Sequence, residues 1–419
     1  MARLLTAKDV SAIMNALYNQ ATGKTDITNV DLSNFASVGE QILATGTENV
    51  LNALSIVLGR TICAVRPYNA KLGIIDAINT GEYTHRFRKI SFYSKDAIEA
   101  GFVNTDENTN MKDGYDNGTN EGNSTASMWK QDIAPVLELN FAGQDVWQEE
   151  LTIFEKQLST AFRSPDELAN FLNGIMTQKL NAIEKRKEGF RRGTLLQHIA
   201  AVYKMGNAHM SGSVINLTAK FNAEFGTTYT SEELRTTYQD QFLKFFVSEF
   251  KLASDYMTEY SQLYHYNPPK EVDGVNYYLN RGTSKAYQKS ILYGPLFTKA
   301  RANVLPDIFN PQYLDVNANE MVNYWQDIKN PTQVKVTPAL PAGIETSEAS
   351  IPYVVGMIFD KDAILTDTQW EDSSVTPLEA RKKYRNMFWD FSYNAISDLT
   401  ENCVIFIMED TTPGVDDEV

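Results

Sequence analysis

The pattern of apolar positions begins with helices. After Thr6, a residue suited to a helix N-cap, apolar side chains recur every three or four positions at Val10, Ile13, Met14 and Leu17. Similar spacing continues over residues 38–43 and 50–58, with glycines between the segments. Because glycine weakens a helix interior, the pattern predicts several short helices in the first 60 residues.

A change to period two then predicts a two-stranded arm. Residues 133–141 alternate between apolar and other side chains, and Pro135 favours a strand start or a sheet edge. Residues 83–93 form a second strand-like run. Between them lies Asn104–Ser127, a tract rich in asparagine, glycine and carboxylates that cannot bury a core. We predict a hairpin arm with a polar tip that contacts neighbouring molecules.

A strongly marked helix follows the arm. Ser164 can cap it, Pro165 suits the first helical position and Glu167 can close a capping box. An apolar stripe extends to about residue 187, where we predict that Gly189 and Gly193 break the helix before another one at 195–203.

The remaining pattern is mixed and ends in strands. Thr230 and Glu233 form a second capping-box signature, which predicts an aromatic-rich helix over 234–257. Strands are predicted at 354–359 and over 389–395, where Trp, Phe and Tyr alternate with polar residues. The apolar run at 403–408 fits a strand buried on both faces.

Composition restricts the function classes. The net charge of −15 argues against nonspecific nucleic-acid binding through overall charge and against docking on an anionic membrane. No apolar run approaches about 20 residues, and the N-terminus lacks the apolar region of a secretory signal. Cys63 and Cys403 both lie in apolar surroundings, so we expect buried thiols in a reducing compartment.

The motifs of common chemistry are missing or incomplete. The four histidines show no zinc spacing, and the acidic segments near Asp106 and Asp360 lack the glycine that a calcium loop needs. We predict no enzyme activity, no cofactor and no metal. One basic cluster stands out, and it fits either a solvated helix end or a surface that faces packaged nucleic acid or an acidic neighbouring subunit: Lys185, Arg186, Lys187, Arg191 and Arg192.

Two segments carry a family resemblance. They are SVGEQILATGTENVLNALSIVLGRTICAVRPY in the first 70 residues and EARKKYRNMFWDFSYNAISDLTENCVIFIM near the C-terminus. With the order of helical arm, hairpin, capped helix and returning strands, they resemble major capsid proteins of tailed bacteriophages, and in particular those of the short-tailed phi-twenty-nine-like lineage. The resemblance implies an α+β fold of the Hong Kong 97 type.

That fold implies a division of the chain. Residues 1–66 would be an N-terminal helical arm, 67–146 the extended loop, 147–204 a peripheral domain with a spine helix and 205–376 an axial domain. Residues 377–400 would return as a peripheral strand, and 401–419 would form the final strand and an acidic tail. The arm tip would contact the adjacent subunit through Asn108, Met111, Tyr115, Asn117 and Asn120. The arm strands would contribute Arg86, Arg88, Leu137, Leu139 and Phe141.

The implied function is structural. The chain would form hexameric and pentameric capsomers of an icosahedral shell around double-stranded DNA, with a separate scaffolding protein, a portal and weak nonspecific DNA contact as partners, and with no membrane. It would be assembled in the bacterial cytoplasm and remain in the virion. The alternatives are another virion component, such as a portal or scaffold-associated protein, and an acidic carbohydrate-acting protein.

Overall fold

The computed structural model describes residues 14–19, 35–44, 71–79, 86–94, 135–154, 165–206, 208–272, 275–297 and 318–410. Residues 14–19 are helical, as predicted. The predicted arm tip and the segment around Cys63 lie outside these ranges, so Asn108, Met111, Tyr115, Asn117 and Asn120 remain a prediction.

The elements alternate between helix and strand. The first part forms α1 (Phe35–Ala44), β1 (Asp76–Ile78), β2 (Arg86–Phe92), β3 (Val136–Ala142), β4 (Asp145–Phe154) and α2 (Pro165–Gly206). The middle forms β5 (Val214–Asn216), α3 (Leu217–Phe225), α4 (Ser231–Thr236), α5 (Gln239–Tyr256), β6 (Lys270–Val272) and β7 (Val275–Tyr277). The last part forms β8 (Gln288–Tyr293), β9 (Ala318–Val322), β10 (Val334–Val336), β11 (Ala349–Ile351), β12 (Val354–Asp360), β13 (Ile364–Val375), β14 (Tyr384–Ser397) and β15 (Cys403–Ile407).

A five-stranded sheet forms the centre of the main core, in the order β5-β15-β12-β8-β9. Every residue of β8, β12 and β15 is buried, which matches the continuous apolar runs predicted as strands at 354–359 and 403–408. Cys403 is a buried free thiol in β15, as predicted, and its burial raises its pKa. Helices α3 and α5 contribute Phe221, Phe246 and Phe250 to the same core.

A second sheet contains the longest strands, in the order β1-β13-β14-β4. The alternating aromatic residues predicted to form a strand lie in β14, and Trp389, Phe391 and Tyr393 are all buried. Strand β4 was not predicted. It pairs with β14 along its whole length, and Trp147 stacks on Phe391 with ring centroids 4.3 Å apart.

Helix α2 corrects one prediction. It continues through Gly189 and Gly193 as a single helix of 42 residues. Each glycine costs about 1 kcal/mol in a helix interior. The segment beyond them buries a larger apolar surface in the main core, which outweighs that cost. The buried residues are Leu195, Leu196, Ile199, Val202 and Met205.

A second correction concerns the helix predicted over 234–257. The capping box of Thr230 and Glu233 is present, but it begins the six-residue helix α4. Tyr238 then has non-helical backbone angles, and its ring stacks on Tyr229 with centroids 4.0 Å apart. Helix α5 begins only at Gln239, so one periodic segment forms two helices.

The hairpin strands are confirmed, with shifted ends. Strands β2 and β3 pair antiparallel and form a two-stranded ribbon, with Ile90 opposite Glu138 and Phe92 opposite Val136. Pro135 directly precedes β3, and its carbonyl accepts a hydrogen bond of 3.1 Å from the N–H of Tyr93. The proline thus lies where its missing N–H costs nothing.

The glycines of α2 provide a stability test. A Cβ added at the exposed Gly193 would meet no atom within 4 Å. We therefore expect Gly193→Ala to stabilise the protein by about 0.5–1 kcal/mol, measured by urea denaturation. Gly356→Ala in β12 is the matched control, because its Cβ would lie 2.9 Å from the Ile291 carbonyl oxygen. That variant should lose about 1–3 kcal/mol. Destabilisation by Gly193→Ala would contradict a continuous helix at this position.

Candidate interaction surface

The ribbon of β2 and β3 has two different faces. On the inner face, Leu137, Leu139 and Phe141 are half-buried, and the Phe87 and Phe141 rings lie 6.2 Å apart. On the outer face, Ile90 is 49% exposed, Phe92 69% and Val136 49%. Isolated exposed apolar residues are common, but three adjacent ones on paired strands form a patch suited to a partner.

Charged side chains flank this apolar patch. Arg88 forms an ion pair of 2.8 Å with Glu138 across the strands, and Asn140 donates to the same carboxylate. Arg86 is in register with Ala142 at the root of the ribbon. Four of the five predicted arm-strand residues therefore divide between the faces: Arg88 is outward, whereas Leu137, Leu139 and Phe141 face the body of the chain.

The ribbon also lies against its own subunit at its far end. Ser94 exchanges backbone hydrogen bonds of 2.8 and 2.7 Å with Tyr278. Tyr93, Tyr277 and Leu279 form a small buried cluster to which Leu137 adds. Within the described residues, the arm is thus a ribbon docked on the body, which the prediction of an outreaching arm did not include.

An ionic cluster holds the middle of the ribbon. The Nζ of Lys89 in β2 contacts both Oδ2 of Asp398 and Oε1 of Glu401, which lie in the turn between β14 and β15. Arg281 Nη2 approaches Glu401 at 3.5 Å and donates to Ser91 Oγ at 2.7 Å. Sequence reasoning missed this cluster. A lysine at an inward position of an amphipathic strand was the available signal.

Burial and charge act in opposite directions on the pKa values of this cluster. Burial by itself would lower the pKa of Lys89, but the carboxylates of Asp398 and Glu401 outweigh burial and raise it. Burial raises the pKa of Glu401 against the opposing effect of Lys89 and Arg281. Lys89 therefore stays charged through the neutral range.

The predicted basic cluster does not form one surface. Arg192 is buried, where it pairs with Glu188 at 2.8 Å and donates to the Tyr324 carbonyl at 2.6 Å. Lys187 pairs with Glu371 at 3.0 Å and lies over the Phe391 ring. Both cations thus stabilise the fold. Arg191 is half-buried, and Lys185 and Arg186 are exposed.

The exposed cations line a groove of about 1050 Å³ between α2 and the root of the ribbon. Phe141 and Trp147 form its opposite wall. Asp145 reaches Arg186 at 3.7 Å. The helix wall combines small, basic, polar and aromatic residues: Ala182, Lys185, Arg186, Gly189, Phe190, Gly193, Thr194 and Gln197.

Among the described residues, no element covers the face of the long sheet opposite α2. Val146 and Phe154 in β4 are 53% and 42% exposed on it. Asp372 and Asp390 lie directly opposite each other on β13 and β14, an arrangement of like charges that disfavours the isolated sheet. Gln148 donates to Asp390 at 2.5 Å and relieves part of this repulsion. A partner that covered this face would bury apolar surface.

Two histidines are structural. His198 in α2 is fully buried, and its Nδ1 lies 2.9 Å from Ser397 Oγ. Burial lowers its pKa to about 4. His265 contacts the Asn402 side chain at 3.1 Å and the Leu279 carbonyl at 2.6 Å. Burial also lowers the pKa of His265, so both rings are neutral at pH 7.

Tests for other site types gave negative findings over the described ranges. In this part of the chain, no helix combines the length and apolar character needed to cross a bilayer. The same ranges contain no group of three His, Cys, Asp or Glu side chains that could hold a metal.

Comparison with known proteins supports the fold. No protein-family model and no curated protein sequence matches the chain. A chain in the capsid structure of Staphylococcus phage Andhra is similar over 81% of this chain and 84% of that one, with 9% identity and a TM-score of 0.50. A chain in a structure of the head fiber and inner core protein of bacteriophage P68 is similar over 82% of this chain and 88% of that one, with 10% identity and a TM-score of 0.44. A chain in the capsid structure of Cyanophage P-SCSP1u is similar over 81% of this chain and 87% of that one, with 11% identity and a TM-score of 0.41.

The predicted fold class is therefore confirmed. The chain has the α+β architecture of tailed-phage capsid proteins, the Hong Kong 97 type. Identity near 9% shows this architecture and nothing finer.

The buried position of Arg192 generates a prediction. Replacing it by methionine removes the ion pair with Glu188 and the hydrogen bonds to the Tyr324 and Trp325 carbonyls, so Arg192→Met should cost about 3 kcal/mol in urea denaturation. Lys185→Met, which removes an exposed cation from the same helix, should stay within about 0.5 kcal/mol of the parent. Equal effects of the two substitutions would refute the division of the cluster.

His198 predicts a pH dependence of stability. The unfolded chain takes up this proton near pH 6.5, whereas the folded protein does so only near pH 4. The free energy of unfolding should therefore fall by roughly 3 kcal/mol between these values on account of His198 alone. His198→Asn should flatten the profile measured by urea denaturation, while His209→Asn, at an exposed position, should leave it unchanged. An equally steep profile for His198→Asn would show that other groups cause the loss.

Proposed function

We propose that this chain is the major capsid protein of a tailed bacteriophage and that many copies assemble into its icosahedral shell. The observation that carries the proposal is the fold shared with the Andhra capsid chain over most of both chains. The uncovered apolar outer face of the ribbon supports it, because an assembling subunit needs such surface.

The ribbon and the open sheet face are the proposed contacts between copies. Obligate interfaces bury on the order of 2,000–5,000 Å² and are rich in apolar and aromatic groups. Ile90, Phe92 and Val136 would meet one neighbour, and Val146 and Phe154 another. A contact that joins the ribbon patch of one copy to the sheet patch of the next would be heterologous, and heterologous contacts generate rings when the rotation closes. Hexameric and pentameric capsomers are such rings.

The electrostatics fit weak, nonspecific contact with packaged DNA. The net charge is −15, and the Lys187 and Arg192 cations of the basic cluster are engaged within the subunit. These two members of the cluster are therefore not available to neutralise phosphates, and with the acidic net charge the affinity for duplex DNA should be low at about 0.15 M salt. Lys185 and Arg186 are the exposed members that such contact would use.

Finer assignments extend the same proposal. The segments at residues 37–68 and 379–408 resemble capsid proteins of the short-tailed phi-twenty-nine-like lineage, so we assign the chain to a short-tailed phage. A separate scaffolding protein, a portal and assembly in the host cytoplasm complete the proposal. The arm tip at Asn108–Asn120 would rest on an adjacent subunit, and the domain limits predicted above remain part of this assignment.

The outer face of the ribbon provides the test. The double substitution Ile90→Ser and Phe92→Ser removes two exposed apolar side chains, so the free energy of unfolding should change by less than about 0.5 kcal/mol per site. Assembly into shells, with scaffold present, should nevertheless be abolished in electron micrographs. Ile328→Ser is the control, because Ile328 is 73% exposed on a loop remote in sequence from the ribbon.

The outcomes separate the candidate functions. Closed shells from the parent chain support the capsid assignment, whereas rings of about a dozen copies would indicate a portal. A parent chain that stays monomeric with scaffold present would overturn the proposal. Shells formed equally well by the double variant would remove the ribbon from the interface and leave the capsid assignment standing.

A further inference from the structure

We propose that Lys89, Asp398, Glu401 and Arg281 form a latch that fixes the direction of the ribbon on its own subunit before any neighbour binds. The inference rests on the proposed function in one respect: the outer face of the ribbon is taken as the surface that meets the neighbour. The latch itself is a property of the single subunit and can be measured there.

The latch joins three separate parts of the chain. Lys89 comes from β2, Arg281 from the segment after β7, and both carboxylates from the turn between β14 and β15. The Asp398 side chain is only 2% exposed, and its second oxygen accepts hydrogen bonds from the N–H and hydroxyl of Thr400 at 2.8 and 2.7 Å. The carboxylate is therefore held in place before Lys89 arrives.

The charges of the latch balance. Two cations meet two carboxylates, and Arg281 is further fixed by donating from Nε to the Thr400 carbonyl at 3.1 Å. Two histidines lie near Asp398, namely His198 and His265. Both are neutral at pH 7, so they do not change the net charge of the latch. Removal of Lys89 alone leaves an uncompensated carboxylate in a largely buried site, which strongly disfavours the docked ribbon.

The rest of the contact between ribbon and body is modest and partly polar. At the root, Asn394 donates to the Phe141 carbonyl at 3.3 Å and Gln369 to the Gly143 carbonyl at 3.2 Å. At the far end, Tyr93 and Ser94 pair with the segment after β7. Interfaces of this kind permit one part to move against another. The ionic contact in the middle therefore decides whether the ribbon stays docked.

A fixed ribbon favours association. An arm that is free in the isolated subunit must lose conformational entropy when a neighbour binds, and this cost reduces the affinity. Lys89 is thus a positioning residue: its side chain points inward, and the neighbour meets Ile90 and Phe92 on the opposite face. Losing the latch should raise the concentration needed for assembly without removing any contact between subunits.

The experiment is hydrogen–deuterium exchange on the unassembled full-length subunit at pH 7. In Lys89→Met, amides of β2 and β3 should exchange at least about tenfold faster, while those of β12 and β15 should keep the parent rate. Lys89→Arg, which keeps the charge, should restore most of the protection. Lys335→Met is the control, because both side chains of the ion pair between Lys335 and Glu348 are exposed. If Lys89→Met does not yield folded protein, the isosteric Glu401→Gln should also speed exchange in β2 and β3 alone, by a smaller factor.

Each outcome has a definite meaning. Unchanged exchange in the ribbon of Lys89→Met or Glu401→Gln would overturn the latch, and so would faster exchange spread equally over β12 and β15. A raised critical concentration for shell formation in the variants, with intact shells at high concentration, completes the support. If the parent subunit forms no shell but the exchange result holds, the proposed function fails while the latch stands.

Discussion

The structure depends on one short segment, residues 397–402, which comprises the last residue of β14 and the turn into β15. Strand β14 is an inner strand of the long sheet and β15 an inner strand of the five-stranded sheet, so this turn connects the two sheets. The N–H of Asp398 donates to the Ala363 carbonyl at 2.8 Å, and the Asn402 carbonyl accepts from Asp360 at 2.9 Å. The turn is therefore held at both of its ends to the segment joining β12 to β13.

The same turn provides polar partners for elements that are distant in sequence. Ser397 contacts His198 of α2, Asn402 contacts His265 and Thr283, and Asp398 and Glu401 receive Lys89 of the ribbon. Buried polar groups without partners cost free energy, so these contacts must form together. Helix, ribbon and both sheets consequently have one mutual arrangement. The hydrophobic core supplies stability, and this network supplies the geometry.

Sequence patterns predicted the elements whose information is local. The buried runs of β12 and β15, the alternation of β14, the pairing of β2 with β3 and the capping box at Thr230 all depend on neighbouring residues, and all are confirmed. The predicted breaks were less accurate. Tertiary packing keeps α2 helical through two glycines, and α4 ends before Tyr238, whose ring stacks on Tyr229. The candidate surface was likewise predictable only in part. The apolar face of β3 follows from its alternating sequence, whereas the carboxylate partners of Lys89 lie more than 300 positions away in the chain.

In the proposed shell, the use of cations within each chain would help an acidic protein pack against copies of itself. Lys89, Lys187, Arg192 and Lys289 each pair with a carboxylate of the same chain. The cation and the carboxylate of each pair neutralise each other within the chain, so neither is available for contacts between copies. The remaining exposed charge is screened beyond about 8 Å at physiological salt, so repulsion between subunits acts over a short range. Attraction in the proposed shell must then come from apolar area, and the outer face of the ribbon supplies it where Ile90, Phe92 and Val136 stand uncovered. A subunit built in this way needs its ribbon correctly placed more than it needs opposite charges on its neighbours.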